Sequence, residues 1–532
     1  MRVALLVALA GALLLGSRPA GLDFVHHNSP TAQKYLIETM GGGVALLDYN
    51  NDGLLDIFFV NGGKLADPQR LPADFARRDP AYWNRLYRQD PGGGFTDVTA
   101  AAGLSSAGNH YGMGVATGDY NNDGYTDLYV TGYGRNVLYR NNGNGTFTDV
   151  TEEAGVAGSG WSVSAAFLDY DNDGRLDLFV SRYLDYDIGR NILCGEPIHT
   201  YCRPDHFEGT TNLLFHNEGN GRFRDVTAAS GIASVKGKGM GVAINDYDGD
   251  GFADIFVSND LMEQFLFHNR GDGTFEERAF DAGVALSGDG KAYSGMGAAF
   301  ADYDNDGLPD LIIANLALEK WAVYRNDGGG RFSYATMATG MAALTARTSG
   351  WGVGLYDFDN DGWKDVFAAR GHVLDNVERV NPSLHYLEAP ALFCNAQGKN
   401  FETCDLGPLP AVAGRGAAVG DLNNDGALDA VVAVLGGRPL VILGRRNANH
   451  WLTLELSGTR GNHGGIGAKV RIGRQWVYAS TSGSYLSASD ARVHFGLGKD
   501  THATVEIFWP GGKRQLLENI AADRIITVKE PE

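Results

Sequence analysis

Seven copies of one nonapeptide fix what this chain can fold into. Each has Asp at positions 1, 5 and 9, Asp or Asn at position 3 and Gly at position 6. The side chains at positions 1, 3, 5 and 9 are Asp48, Asn50, Asp52 and Asp56; Asp119, Asn121, Asp123 and Asp127; Asp169, Asp171, Asp173 and Asp177; Asp246, Asp248, Asp250 and Asp254; Asp302, Asp304, Asp306 and Asp310; Asp357, Asp359, Asp361 and Asp365; and Asp421, Asn423, Asp425 and Asp429. Alternate residues of a tight turn aim at one point, and the glycine permits the bend. Left bare, converging carboxylates repel by roughly 4 kcal/mol per pair at about 4 Å and an effective dielectric of about 20. Calcium, which takes six to eight hard oxygens in a flexible shell, fits this donor set, with a backbone carbonyl at position 7 such as that of Arg175. Up to seven Ca2+ ions are expected.

An EF-hand needs a glutamate at position 12 and flanking helices. Position 12 here is Phe59, Val130, Val180, Val257, Ile313, Ala368 or Val432, inside short apolar runs such as DIFFV and DLFV. Those runs read as strands. A full repeat, from Tyr111, has a glycine-rich strand, the acidic loop, an apolar strand, one with an aromatic before Asn, and a polar one ending in DVT. Four strands repeated seven times predict an all-β, seven-bladed β-propeller over residues 21–446. The seventh repeat lacks its fourth strand, and a leftover segment at residues 22–26 is expected to supply it and close the ring. From residue 447 to 532, alternating runs such as WLTLEL and TVEIFW predict a small C-terminal antiparallel β-sandwich.

The formal charge is −20, and 25 aspartates stand at ligand positions. Much of the acidity is therefore metal-site charge, and a nucleic-acid partner is not expected. Met1-Arg2 followed by an apolar run over residues 3–15 reads as a secretory signal within residues 1–20. An uncleaved anchor is the alternative, but the run is short for a span and no later segment is apolar enough to cross a membrane. A secreted, extracellular or periplasmic location follows. In such a compartment four cysteines suggest two local disulfides, Cys194 with Cys202 and Cys394 with Cys404.

Extra length falls between the second and third strands of repeats one, three and six, at residues 64–83, 184–211 and 372–391. In an up-and-down blade these insertions share one rim with the blade-to-blade connections, opposite the acidic loops, and such a rim commonly binds. It carries His110, Trp161, Lys238, Lys291, Tyr293, Arg347, Trp351 and Arg415, with His206 and His372 in the insertions. These residues suggest a cationic mouth for an anionic ligand; a solvated or internally paired set is the other reading. Aromatic residues and histidines of the insertions, among them Tyr82, Trp83, His199, Tyr201, Phe207, His385 and Tyr386, suit carbohydrate stacking or the packing of long loops. Arg270-Gly-Asp272 sits where other repeats have a Gly-Asn-Gly turn and reads as that turn.

With NVLYRNNGNGTFTDVT and NLLFHNEGNGRFRDVT in the repeats, and GGIGAKV, GSYLSASD, HFGLG and WPGG in the tail, the chain resembles the family that joins FG-GAP (VCBS) repeats to a C-terminal ASPIC/UnbV domain. That family tends to have Asn-Arg where this chain has Asn462-His463. The resemblance implies a secreted calcium-binding protein with an integrin-like propeller. The expected function is a binding or adhesion module for an extracellular protein or acidic polysaccharide, acting through the insertion rim. A calcium-assisted polysaccharide lyase or hydrolase, with His206, His372 or Tyr386 as base, is the alternative.

Overall fold

The structure, a computed structural model, describes residues 14–17, 21–69, 75, 79–105 and 110–532. Seven four-stranded antiparallel sheets follow one another along the chain, six of them pairing their strands in sequence order. The third is representative, with Ser162–Leu168 innermost, then Asp177–Arg182, Leu213–Asn217 and Phe223–Asp225. Neighbouring innermost strands touch in ring order, and the ring closes where Gly414–Gly420 meets Val44–Leu47. The acidic nonapeptide is the corner between first and second strands in every blade, because its ninth residue opens the second strand.

Closure differs from the expectation in one respect. The outer strand of the last blade is Leu14–Ser17, paired antiparallel with Leu440–Gly444, and residues 22–26 are not a strand. The later segment has a different task that its alternation explains: Leu22, Phe24 and His26 are buried and Asp23 is exposed. Leu22 and Phe24 wedge between the last and first blades, where Phe24 stacks on Phe59 with centroids 4.7 Å apart. Most of the segment expected as a leader, residues 1–13 and 18–20, lies outside the described residues.

The C-terminal unit has two sheets around Leu452, Leu454, Val470, Phe495, Val505 and Ile507. It is not wholly antiparallel: His450–Ser457 pairs parallel with Arg524–Lys529, because the last strand crosses back to the first sheet and runs in the same direction as its opening strand. Between Tyr478 and Asp490 the chain leaves this unit and enters the propeller's central channel. Leu486 O accepts from Val115 N, Ala488 bonds both Val44 O and Leu46 N, and Ser484 exchanges bonds with Ala298. Ser489 Oγ accepts from Val419 N and from Tyr356 Oη, and Leu486 N donates to Ser164 Oγ. Gly483 N reaches Val242 O, so the plug bonds all seven blades. This explains the glycine-rich innermost strands: a Cβ on Gly43 would stand 2.5 Å from Leu486 O, and one on Gly416 would run into Ser487 Oγ.

Candidate metal centres on the loop rim

The corners are built alike. In the first, Asp48 Oδ1 accepts from Asp52 N at 3.1 Å and Oδ2 from Gly53 N at 2.7 Å, so the first carboxylate organises the turn behind it. Asp52 Oδ1 accepts from Leu54 N, and Asp56 accepts from Tyr49 N and from Gln89 N at the end of the third strand. Gly53 and its equivalents have φ between 84° and 95°, which only glycine adopts cheaply.

Two rings of amide bonds tie the corners together. At position 4, Asn51, Asn122, Asn172, Asn305, Asn360 and Asn424 are left-handed, with φ of 55–58°. Each donates Nδ2 to the position-6 carbonyl of the next corner, and Asn424 to Gly53 O completes the circle. Gly249 replaces Asn in the fourth corner, so that link has no side chain to make it. In the reverse direction Asn141, Asn217, Asn269, Asn326 and Asn395 donate to the position-2 carbonyl of the preceding corner, and Gln89 does so to Leu422 O. The asparagine after each third-strand aromatic was visible in the sequence; that it spans blades was not, because its partner lies up to 99 residues away.

The C-terminal unit is seated on this rim. His494 Nε2 lies 2.7 Å from Asn360 Oδ1, Gly498 N donates to Asn360 O, and Asn447 and Asn449 bond Asp359 O. Arg492 reaches Asn424 Oδ1 and Asp421 O, His463 N reaches Asn122 Oδ1, and Lys469 forms an ion pair with Asp246. Thus His463, where the resembling family tends to have Arg, is a contact to the second corner. Between this unit and blades four to seven lies a cavity of about 270 Å³ that includes Lys364, Trp476 and Tyr478 in its walls.

The donor set suits a divalent ion. Asn50 Oδ1 and Asp171 Oδ1, both at position 3, are buried without a hydrogen-bond partner. Burial pushes Asp56 and Asp429 up to about 8 and Asp169 to about 7, and lifts Asp357 well above the usual carboxylate range, with neighbouring aspartates adding to it. A bound cation would reverse each of these shifts. Asp169, Asp171 and Asp173, Asp246, Asp248 and Asp250, and Asp302, Asp304 and Asp306 bring one oxygen each within 4.8 Å of the others and could hold a metal ion.

Comparison with known proteins agrees with this architecture. FG-GAP-like repeats match residues 48–130, 119–180, 207–257, 246–313 and 302–368, and the ASPIC and UnbV domain matches 458–532. The chain belongs to the FG-GAP-like repeat family and carries an ASPIC and UnbV domain. Cartilage acidic protein 1 from Homo sapiens is 30% identical over 327 residues, covering 58% of this chain and 46% of that protein. Its Mus musculus counterpart is 29% identical over the same length, covering 58% and 47%. The chain spans about half the length of these curated relatives. A solved Agrocybe aegerita lectin, described in its recognition of non-reducing terminal N-acetylglucosamine, is similar at 16% identity and a TM-score of 0.40, covering 80% of this chain and 96% of that one.

The other rim of this FG-GAP propeller is not the open cationic mouth expected. His110, Trp161, Trp351 and Arg415 are buried. Trp161 packs with Tyr133, Tyr183 and Tyr186, and Tyr485 from the plug reaches the same cluster beside Trp351. Arg415 stacks 4.0 Å over Trp351 and donates to Thr39 O, Gly414 O and His372 O. Its guanidinium is used up on backbone carbonyls, so burial is tolerated without a carboxylate. His372 is pushed down to about 4 by burial and then by Arg415, and its Nδ1 accepts from Leu374 N. Of the remaining residues, Lys238 is half-buried on Pro204 O, Tyr293 and Lys291 face Asp289, and Arg347 and His206 are exposed. Insertions three and six and residues 33–34 interlock through Lys34–Asp375, Asn191 to Gln33 O and Asn376 to His199 O. Both disulfides form as expected, and Arg270-Gly-Asp272 is a turn in which Asp272 accepts from Thr274 N. Among the described residues no helix is long and apolar enough to cross a membrane.

Proposed function

We propose that this chain is a secreted, calcium-loaded binding module that recognises an extracellular protein or acidic polysaccharide through its insertion rim. The observation that carries the reading is the seating of the C-terminal unit on the loop rim, which among the described residues leaves the insertion rim as the end of the propeller that no other unit covers. Calcium is supported by the orphaned position-3 oxygens and by the repeated hard-oxygen corners. Exposed Arg347, His206, Ile192 and Leu193, with Val380 and Leu387 from insertion six, give that rim cations beside apolar side chains. Secretion is supported by the paired cysteines and by residues 1–20. A leader cut between residues 16 and 20 would also remove most or all of Leu14–Ser17 and bare the edge of Leu440–Gly444, so N-terminal sequencing of exported protein separates the two roles of that segment.

Calorimetric titration of metal-stripped protein with calcium should give several equivalents of binding. A glycan array of uronate and sulfated polysaccharides, probed with wild type and with Arg347→Glu, should lose signal in the variant and in chelator. No calcium heat would end the metal reading; array signal indifferent to Arg347→Glu would end the polysaccharide one.

A further inference from the structure

Blades three and four differ from the rest at the residue just before the third-strand amide that ties neighbouring corners. Blades one, two and five have Arg88, Arg140 and Arg325 there, and blade six a disulfide-bonded Cys394. Blades three and four place His216 and His268. His216 Nδ1 stands 3.2 Å from Asp177 Oδ1 and 3.5 Å from Asp171 Oδ2, with Tyr170 Oη at 3.4 Å. His268 Nδ1 stands 3.3 Å from Asp248 Oδ2 and 3.4 Å from Asp254 Oδ1, and this nitrogen is buried without a hydrogen bond.

Those separations are long for a charge-assisted hydrogen bond and match the spacing of two ligands of one ion. Imidazoles elsewhere in the chain approach their partners closely: His450 Nδ1 to Asp523 at 2.7 Å and His494 Nε2 to Asn360 at 2.7 Å. Ligands about 2.1 Å from one metal are about 3.4 Å apart at tetrahedral angles and about 3.0 Å at octahedral ones. Each histidine instead sits nearly midway between two carboxylates, one of them at a fully buried ninth position.

In both blades a basic side chain also pairs with one carboxylate of the corner, as Arg325 does with Asp304 and Asp306 in blade five, where no imidazole stands. Arg175 pairs with Asp173 in blade three, and Lys469 of the C-terminal unit pairs with Asp246 in blade four. Among the groups that remain, one nitrogen and two oxygens converge in each corner: Asp171, Asp177 and His216, and Asp248, Asp254 and His268, each set with its ligand atoms within 4.8 Å. Imidazole is a poor ligand for calcium and a good one for zinc-like ions.

We propose that the corners of blades three and four bind a borderline transition-metal dication of the zinc class, held by His216 and His268, while the other corners remain oxygen sites. This deepens the reading of the corners as metal centres and rests on it.

The test uses the full chain, stripped of metal and then saturated with calcium. Cobalt(II) added to it should give visible d–d absorption saturating at two equivalents. His216→Gln or His268→Gln should each halve the amplitude, and the double variant should abolish it while leaving calcium titration of the other corners unchanged. Where a variant does not fold, X-ray absorption at the zinc edge of wild-type protein loaded with two equivalents should show imidazole scattering and a nitrogen or oxygen shell near 2.0 Å. A cobalt signal surviving in the double variant, or a zinc edge without imidazole, overturns the assignment. Loss of calcium binding in the wild type would instead overturn the reading beneath it.

Discussion

The two rims of the propeller are closed by opposite means. The loop rim is polar, and what covers it is a separate folding unit that donates Arg492, His494, Lys469 and backbone amides to the corners. The insertion rim is closed by its own aromatic side chains, Tyr133, Trp161, Tyr183 and Tyr186, with Phe75 edge-on to Tyr111 and Tyr133. One rim therefore depends on charge being neutralised, and the other on apolar area removed from water. The plug joins them, since its Ser484–Ser489 stretch bonds the innermost strands while Tyr485 and Leu486 end in the aromatic cluster.

Metal removal tests that difference most severely. Binding to the folded state alone contributes about 2.7 kcal/mol per site when ligand is a hundredfold above its dissociation constant. With several corners filled, chelation should lower the melting temperature by tens of degrees. Hydrogen exchange should rise first at the corners and later around Trp161 and Tyr183. An unchanged melt, or simultaneous loss of protection on both rims, would break the contrast.

Tyr485→Ala attacks the other side of it. This ring is fully buried, 5.1 Å from Trp351, and its loss from a packed cluster should cost about 3 to 5 kcal/mol. The variant should also become sensitive to proteolysis around residues 445–449, where the chain passes from propeller to C-terminal unit, with calcium binding retained. A stable variant whose C-terminal unit stays protected would mean the plug is a passenger.

The rims should also answer pH differently. Without metal, folded Asp56 and Asp429 keep protons up to about pH 8, whereas their unfolded reference is 3.8. In that window the folded state binds more protons than the unfolded one, so stability falls as pH rises. Chelated protein should melt higher at pH 6 than at pH 8, because surface carboxylates held low by arginine or threonine partners, such as Glu276 and Asp272, no longer titrate there. Calcium-loaded protein should show the reverse slope, since protons compete with the ion. Equal slopes in both forms would mean that the corner carboxylates carry no linkage.

Much of the loop rim was legible because its information is local: nine residues fix each corner, and the strand that follows is set by its apolar run. The plug was not. GSYLSASD has no periodicity that says it leaves its own domain, and the glycines it requires, such as Gly43 and Gly416, lie more than four hundred and about seventy residues away in sequence. The same non-locality misplaced Trp161, Trp351 and Arg415. Polar-aromatic composition on a rim looks alike whether the side chains face water or one another, and only the interlocking of insertions three and six decides. The closing strand was not legible because residues 14–17 fall within the stretch that reads as a secretory signal, while the alternation of residues 22–26 also suits an edge strand.

The smallest effect concerns the fourth corner, where the ring of position-4 asparagines is interrupted. Gly249 has φ of 80°, a left-handed conformation that Asn tolerates better than most residues, and a Cβ there would meet nothing within 4 Å. Gly249→Asn should supply the missing bond to the next corner and reduce the freedom of the unfolded chain, for a gain of about 1 kcal/mol. In a chain of this length that is a rise of about 1 to 2 °C. Asn424→Ala, which cuts the tie to Gly53 O, should lose a similar amount. Because the bond runs between corners and not to the ion, both changes should persist in chelator. If they appear only with calcium present, the ties act by shaping metal sites and not by holding blades together, and the loop rim would owe its cohesion to the ions alone.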